Sequence, residues 1–126
     1  MNRAPAHSRV AVLGASTKED RHSFQAVRLL KQHGHQPIPV HPAGHTVDGI
    51  PGVKSLDDIK GSIDTLSLYV NADISDGEYD RIIKLNPRRV VFNPGAENDI
   101  LAARLEEQGI ETVKACTLVL LRTEQF

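Results

Sequence analysis

The chain is poor in several features that would have fixed its class at once. It has one cysteine, Cys116, among 126 residues, which excludes an intrachain disulfide framework and a multi-cysteine zinc site and fits a reducing compartment. Neither charge dominates: 15 Lys and Arg against 16 Asp and Glu leave a formal net charge of -1. The balance therefore recommends neither nucleic acid nor an anionic membrane as a partner. Long apolar runs are missing too. Residues 1–9 hold no apolar core of signal-peptide length, and nothing later approaches the roughly 20 residues that a membrane helix needs. A soluble, cytoplasmic protein is the expectation. Without internal repeats or low-complexity tracts, one domain of ordinary size remains, with 40% apolar residues for its core.

What is present alternates between strand and helix patterns. Arg9-Val10-Ala11-Val12-Leu13 is an apolar run stopped by Gly14, as in a strand buried on both faces. Phe24, Ala26, Val27 and Leu30 then recur at helical spacing, with Ser23 placed as N-cap and Gly34 as the stop. Gln36-Pro37-Ile38-Pro39-Val40 carries two prolines that cannot donate ladder hydrogen bonds, which puts this strand near an edge or leaves it partly paired. A loop of Pro, Gly and His leads to one helical turn at residues 55–59. Residues 63–70 make a third strand, and Ser75 and Glu78 have capping-box spacing ahead of a helix that buries Tyr79, Ile82 and Ile83. Asn86-Pro87 ends that helix. Residues 89–92 give a fourth strand, Ile100, Leu101 and Leu105 a helix stopped by Gly109, and residues 110–113 open a fifth strand.

This alternation predicts an α/β fold: a single Rossmann-like open parallel five-stranded sheet with helices on both faces, joined by right-handed crossovers. Residues 1–8 read as a loose N-terminal arm and residues 9–126 as the domain. Residues 117–126 either extend the last strand or cover an edge.

Ligands of open parallel sheets bind beyond the carboxyl ends of the strands. Four segments of this chain come together there: residues 14–23, 40–45, 71–73 and 93–96. Gly14, directly after a strand, permits a tight turn and close backbone approach, and Ala15 and Ser16 are small enough not to block it. Free amides in that turn are expected to hold a phosphate, with hydroxyls from Ser16 and Thr17, charge from Lys18 and Arg21, and a helix dipole behind. An ordinary strand-to-helix turn is also compatible with a lone glycine.

The turn lacks the second and third glycines of the dinucleotide fingerprint. The second strand ends in Val40-His41-Pro42, where an NAD site presents an acid to the ribose. Ordinary NAD binding is disfavoured, and the missing Walker pattern removes support for nucleoside-triphosphate hydrolysis. The histidine pairs His33/His35 and His41/His45 lie around a helix-ending glycine and in a loop, so neither has the helical i, i+4 geometry of a metal site. Cys116 reads as a small buried hydrophobe, and the adjacent acids Asp57-Asp58 and Glu106-Glu107 diverge. No catalytic set and no metal site are expected.

Val12-Leu13-Gly14-Ala15-Ser16, then Arg21-His22-Ser23, then Pro39-Val40-His41-Pro42, resembles the CoA-binding-domain family. These are small stand-alone Rossmann-like proteins related to the CoA-binding module of succinyl-CoA synthetase alpha subunits and of ADP-forming acyl-CoA synthetases. The resemblance runs from about Arg9 to Cys116. It takes in Gly49-Ile50-Pro51-Gly52-Val53, residues 55–59, Ile63-Asp64 and residues 101–109.

It implies a site for coenzyme A or an acyl-CoA in which Gly14, Ala15, Ser16, Thr17, Lys18 and Arg21, with Ser23 beside them, meet the phosphates. Val40, His41 and Pro42 would lie beside the nucleotide, and Asn71, Asn93, Pro94 and Gly95 would line the opposite wall. Two positions depart from the family pattern. Its members usually carry Asn-Pro where this chain has His41-Pro42, and a Gln- or Glu-containing loop in place of Asn93-Pro94-Gly95. The synthetases phosphorylate a His in a second domain not found in this sequence, so the resemblance implies a binding module and not a ligase. The competing readings are an NAD(P)-type or redox-sensing Rossmann module and an interaction module whose nucleotide site has decayed.

Overall fold

The apolar runs become five parallel strands in the computed structural model, which describes residues 3–126. They are β1 (Arg9–Leu13), β2 (Gln36–Val40), β3 (Thr65–Leu68), β4 (Arg89–Phe92) and β5 (Glu111–Lys114), in the order β2-β1-β3-β4-β5. Between and after them run α1 (His22–Gln32), α2 (Ala72–Asp76), α3 (Tyr79–Leu85), α4 (Asp99–Glu107) and α5 (Thr117–Arg122), with a 3-10 turn at Leu56–Asp58. The architecture is the expected α/β Rossmann-like sheet.

The pleat of the strands explains why helices cover both faces. Successive side chains point to opposite sides, so Ala11 and Leu13 join Leu66, Leu68, Val90 and Phe92 against Ile82 of α3 and Leu101 and Leu105 of α4. Val10 and Val12 face the other way, onto Phe24, Val27 and Leu30 of α1 and Leu120 and Leu121 of α5. β2 takes the edge position that its prolines require, with Pro37 and Pro39 in register with Val10 and Val12.

Three local expectations fail for identifiable reasons. Ser23 is not the N-cap of α1. Arg21 holds that extended position, and Ser23, one turn-residue inside the helix, accepts the Ser16 amide at 3.0 Å instead. The Ser75/Glu78 spacing is not a capping box either: Asn71 caps α2 by accepting the Ile74 amide at 3.0 Å, so Ser75 is already helical, and Glu78 makes no side-chain cap bond to α3. Residues 117–126 neither extend β5 nor cover an edge. They form α5 and a return that packs Leu120, Leu121 and Phe126 against the α1 face.

At the amino ends of the strands a fully buried guanidinium, Arg89, donates from Nε to Thr65 Oγ1 at 2.9 Å and from Nη2 to the Phe126 carbonyl at 2.8 Å, with the Phe126 ring 4.5 Å from Cζ. Residues 3–8 lie against this end. Ala4 donates its amide to the Phe126 carbonyl, Ser8 donates to His35 Nδ1, and Arg88 reaches the Arg3 carbonyl. Met1 and Asn2 lie outside the described residues. Cys116 is half-buried at the N-cap position of α5.

Candidate functional site

The chain leaves β1 for β2 on one side and returns to β3 on the other, so the order reverses between β1 and β3. Loops diverge at such a point and leave a crevice beyond the strand ends. The residues that follow those two strands, Gly14 and Tyr69, both line each of two hollows that meet there.

Gly14 is required by the backbone. Its φ is +90°, and a Cβ would meet the Tyr69 carbonyl oxygen and Val70 Cγ1, both at 2.9 Å. Four amides of this turn, expected to be free, are already used. Gly14 and Ala15 both donate to the Val40 carbonyl, Ser16 donates to Ser23 Oγ, and Lys18 donates to Ser16 Oγ at 3.0 Å. The turn is thus a braced support, and the donors left for an anion sit one step further on. The first three amides of α1, on His22, Ser23 and Phe24, have no intrahelical acceptor, and no acid stands in that first turn.

The second hollow, about 400 Å³, opens onto this helix end and is lined by Ser16, Asp20, Arg21, His22 and Ser23 besides Gly14 and Tyr69. Arg21 supplies its positive charge and Asp20 its one carboxylate. Glu19, on the same turn, is drawn off by Arg28 at 3.3 Å. Thr17 and Lys18 are exposed on the turn outside the lining.

The first hollow, about 620 Å³, has an apolar floor of Leu13, Tyr69, Val70 and Ile74 and a polar rim of His41, Lys54, Ser55, Asn71, Glu78 and Arg81. Both volumes lie in the range of small-molecule sites. Arg81 is bound to Glu78 at 2.9 Å and Asp57 at 3.3 Å, whereas Lys54 has no ion-pair partner among the described residues. Ile74 is 54% exposed, an apolar side chain left uncovered at the mouth. Tyr69 keeps its hydroxyl buried without a hydrogen-bond partner among the described residues, and burial pushes its phenol up.

The other expected residues divide. His41, Pro42 and Asn71 line the first hollow, Asn71 while also capping α2. Val40 is buried and contributes its carbonyl as the anchor of the Gly14 turn. Asn93 is fully buried beneath the site: it donates to Ser67 Oγ and the Leu68 carbonyl and accepts the Thr117 amide at 2.8 Å, tying β3, β4 and α5 together. Pro94 and Gly95 are exposed and line neither hollow. Reading the sequence missed Lys54, Tyr69, Val70, Ile74, Glu78 and Arg81. The signal for Tyr69 and Val70 was their place after β3 at the reversal, hidden by running that strand on to residue 70.

His41 and His45 are not a metal pair but a stack, with ring centroids 4.4 Å apart and planes 23° from parallel. The Ala43 amide donates to His41 Nδ1 at 3.0 Å, and His45 Nε2 donates to the Ala15 carbonyl at 2.9 Å. Burial and the neighbouring His45 push the His41 imidazole below its ordinary value. Among the described residues no group of three or more His, Cys, Asp or Glu is placed to hold a metal ion, and no helix is long and apolar enough to cross a membrane.

Known proteins share this architecture and are similar in sequence. The chain is 40% identical to an uncharacterised protein of known structure, with a TM-score of 0.90 over 97% of this chain and 100% of the other. It is 27% identical to a protein from Thermus thermophilus, with a TM-score of 0.86 over 95% and 91% of the two chains. The uncharacterised protein YneT of Bacillus subtilis (strain 168) is 27% identical over 101 residues, 80% of this chain and 75% of YneT. A family model described as a CoA binding domain matches residues 8–122. The chain belongs to the CoA-binding-domain family.

Proposed function

We propose that this protein binds coenzyme A or an acyl-CoA without transforming it, and presents or senses that ligand. The observation that carries the reading is the pair of hollows joined at Gly14 and Tyr69. One is polar and closed by a helix N-terminus, suited to a diphosphate; the other has an apolar floor and a cationic rim, suited to the rest of an elongated nucleotide ligand. Ser16, Arg21 and Ser23, with the α1 amides, take the diphosphate, while Val40, His41, Pro42 and Asn71 border the second part of the ligand. Lys18 adds long-range charge and Thr17 a hydroxyl from the exposed turn outside the lining. Asn93 braces the strands beneath the site, and Pro94 and Gly95, which line neither hollow, do not touch the ligand.

The non-catalytic part of the proposal is supported by the hydroxyl and thiol inventory. Ser16 Oγ is engaged by the Lys18 amide, and no hydrogen bond joins Ser16 or Cys116 to a histidine among the described residues. A nucleophile needs such a base within reach.

Calorimetric titration with CoA, acetyl-CoA, NAD, NADPH and ADP tests the reading. CoA or acetyl-CoA is expected to bind and NAD not. Heat with NAD and none with either CoA species would overturn it. Arg21→Ala should weaken CoA binding by about 1.5–3 kcal/mol, the value of a charge-assisted hydrogen bond, with unfolding unchanged, because Arg21 is exposed and has no ion-pair partner among the described residues.

A further inference from the structure

Two imidazoles are stacked beside the first hollow, with His41 in its lining, and one hydrogen bond places a proton on each. A backbone amide can only donate, so the Ala43 contact makes His41 Nδ1 an acceptor and leaves the proton on Nε2. A carbonyl can only accept, so the Ala15 contact puts a proton on His45 Nε2, and Nδ1 has no partner among the described residues. His41, whose ring lines the hollow, is therefore a neutral donor whose second nitrogen is occupied. An added proton on His41 would break the Ala43 bond. On His45 Nδ1 it breaks nothing and strengthens the bond to Ala15, since charged donors make the stronger hydrogen bonds.

The charges around the pair fit such a role. The rim of the hollow carries Lys54, while Arg81 is neutralised by Glu78 and Asp57. Behind the loop, Asp48 is held by Arg28 and Lys31, both at 3.1 Å, so no free carboxylate there charges the pair in the empty protein. Across Gly14 stand Lys18, Asp20 and Arg21, and Tyr69 stays protonated because burial opposes its anion. Asp20, the carboxylate of the second hollow, makes no hydrogen bond to either ring among the described residues, so an anionic ligand held by His41 would be the negative charge in contact with the stack.

We infer that ligand binding here is proton-linked: His41 donates Nε2–H to a phosphate of the bound ligand while His45, one ring behind, takes up a proton at Nδ1. The downward push on His41 agrees with its staying neutral. The inference rests on the CoA reading above and adds a regulation to that same site. A nearby negative charge favours the protonated form of a base, so protons enter with the ligand and affinity rises as the pH falls through neutrality. Each unit of upward shift is worth a tenfold change in affinity at the limit.

Calorimetry of CoA near pH 7 in two buffers of different ionisation enthalpy counts the protons taken up. The expected result is a substantial fraction of one proton per CoA, with affinity on the order of tenfold higher at pH 6 than at pH 8. His45→Gln keeps a donor for Ala15 and should abolish both effects, whereas His41→Gln should weaken binding and keep the uptake. Uptake that survives in His45→Gln would come from the ligand's phosphomonoester or from His22 at the α1 end, and would overturn the inference.

Repeating the titration with 3′-dephospho-CoA identifies the phosphate. Where His45→Gln abolishes the uptake, uptake retained with 3′-dephospho-CoA assigns the diphosphate and uptake lost assigns the 3′-phosphate; uptake lost with 3′-dephospho-CoA but kept in His45→Gln belongs to the ligand and overturns the inference. Ring-proton NMR titration of the unaltered protein needs no variant: saturation with CoA should move the midpoint of His45 upward, and an unmoved midpoint overturns the inference. CoA binding without proton exchange overturns the proton linkage and leaves the CoA reading standing, whereas absence of CoA binding defeats both.

Discussion

The two ends of the sheet handle charge in opposite ways. At the amino ends Arg89 is fully buried and satisfied by Thr65 and the Phe126 carbonyl, Arg88 grips Asp64 at 2.8 Å, and residues 3–8 close over them. At the carboxyl ends Lys18, Arg21 and Lys54 have no ion-pair partner among the described residues, and the first residues of α1 line an open hollow. Burying a charge without a partner is expensive. The amino end therefore spends its polar groups on one another and fixes the fold, and the carboxyl end holds donors in reserve for something from outside.

Substitutions should separate the two ends, and the largest effect is expected at the closed one. Arg89→Ala opens a cavity and takes one donor each from the Phe126 carbonyl and Thr65 Oγ1, so chemical denaturation should show a loss of about 3 kcal/mol or more. Any protein that still folds should bind CoA as before. A stability loss below 1 kcal/mol would mean the buried cation is dispensable and the contrast false. Gly14→Ala should cost about 2 kcal/mol for the left-handed backbone, and because its Cβ presses on the Tyr69 carbonyl it should also erase CoA binding. Retained affinity would detach the ligand from the strand reversal.

Ser23→Ala sits between the two regimes. Leaving the Ser16 amide unpaired should cost about 1 kcal/mol and loosen CoA binding severalfold. The smallest effect at neutral pH is acid-linked. Burial raises Asp64, but hydrogen bonds from Arg88 and Thr65 overcome it and hold the carboxyl below its ordinary 3.8. A depressed folded value means stability present above the unfolded value and lost as the pH falls through the folded one. Stability followed by circular dichroism should thus decline below about pH 4, with the decline reduced in Arg88→Gln. An identical acid profile in that variant would remove Asp64 from the account.

How much of this was legible in the residues depended on whether the determinant was local. The β1 run, the edge position that Pro37 and Pro39 force on β2, and the turn near Leu56 are written in neighbouring side chains, and they appear where expected. Ser23 and Ser75 misled because short hydroxyl side chains satisfy whichever backbone group the tertiary fold brings near. For Ser23 that group was the Ser16 amide, seven residues earlier. Lys54, Glu78 and Arg81 carry no local signal at all. They reach the first hollow only because the sheet order sets the loop after β2 beside α2 and α3. Asn93 was legible as a residue at the right end of the right strand, but its full burial depends on Thr117 and Ser67.

The prolines of β2 have an effect on neighbouring molecules as well as on the fold. Gln36 donates its amide to Ser8, toward β1, so the alternate nitrogens at Pro37 and Pro39 face away from the sheet. On that side a stray strand would find no hydrogen to accept at either position. The Pro39 carbonyl is also taken, by the Val53 amide at 2.9 Å. One margin of the sheet is therefore chemically blunt, and edge-to-edge aggregation, the standing hazard of open sheets, is closed off along β2 without a single charged residue inside that strand.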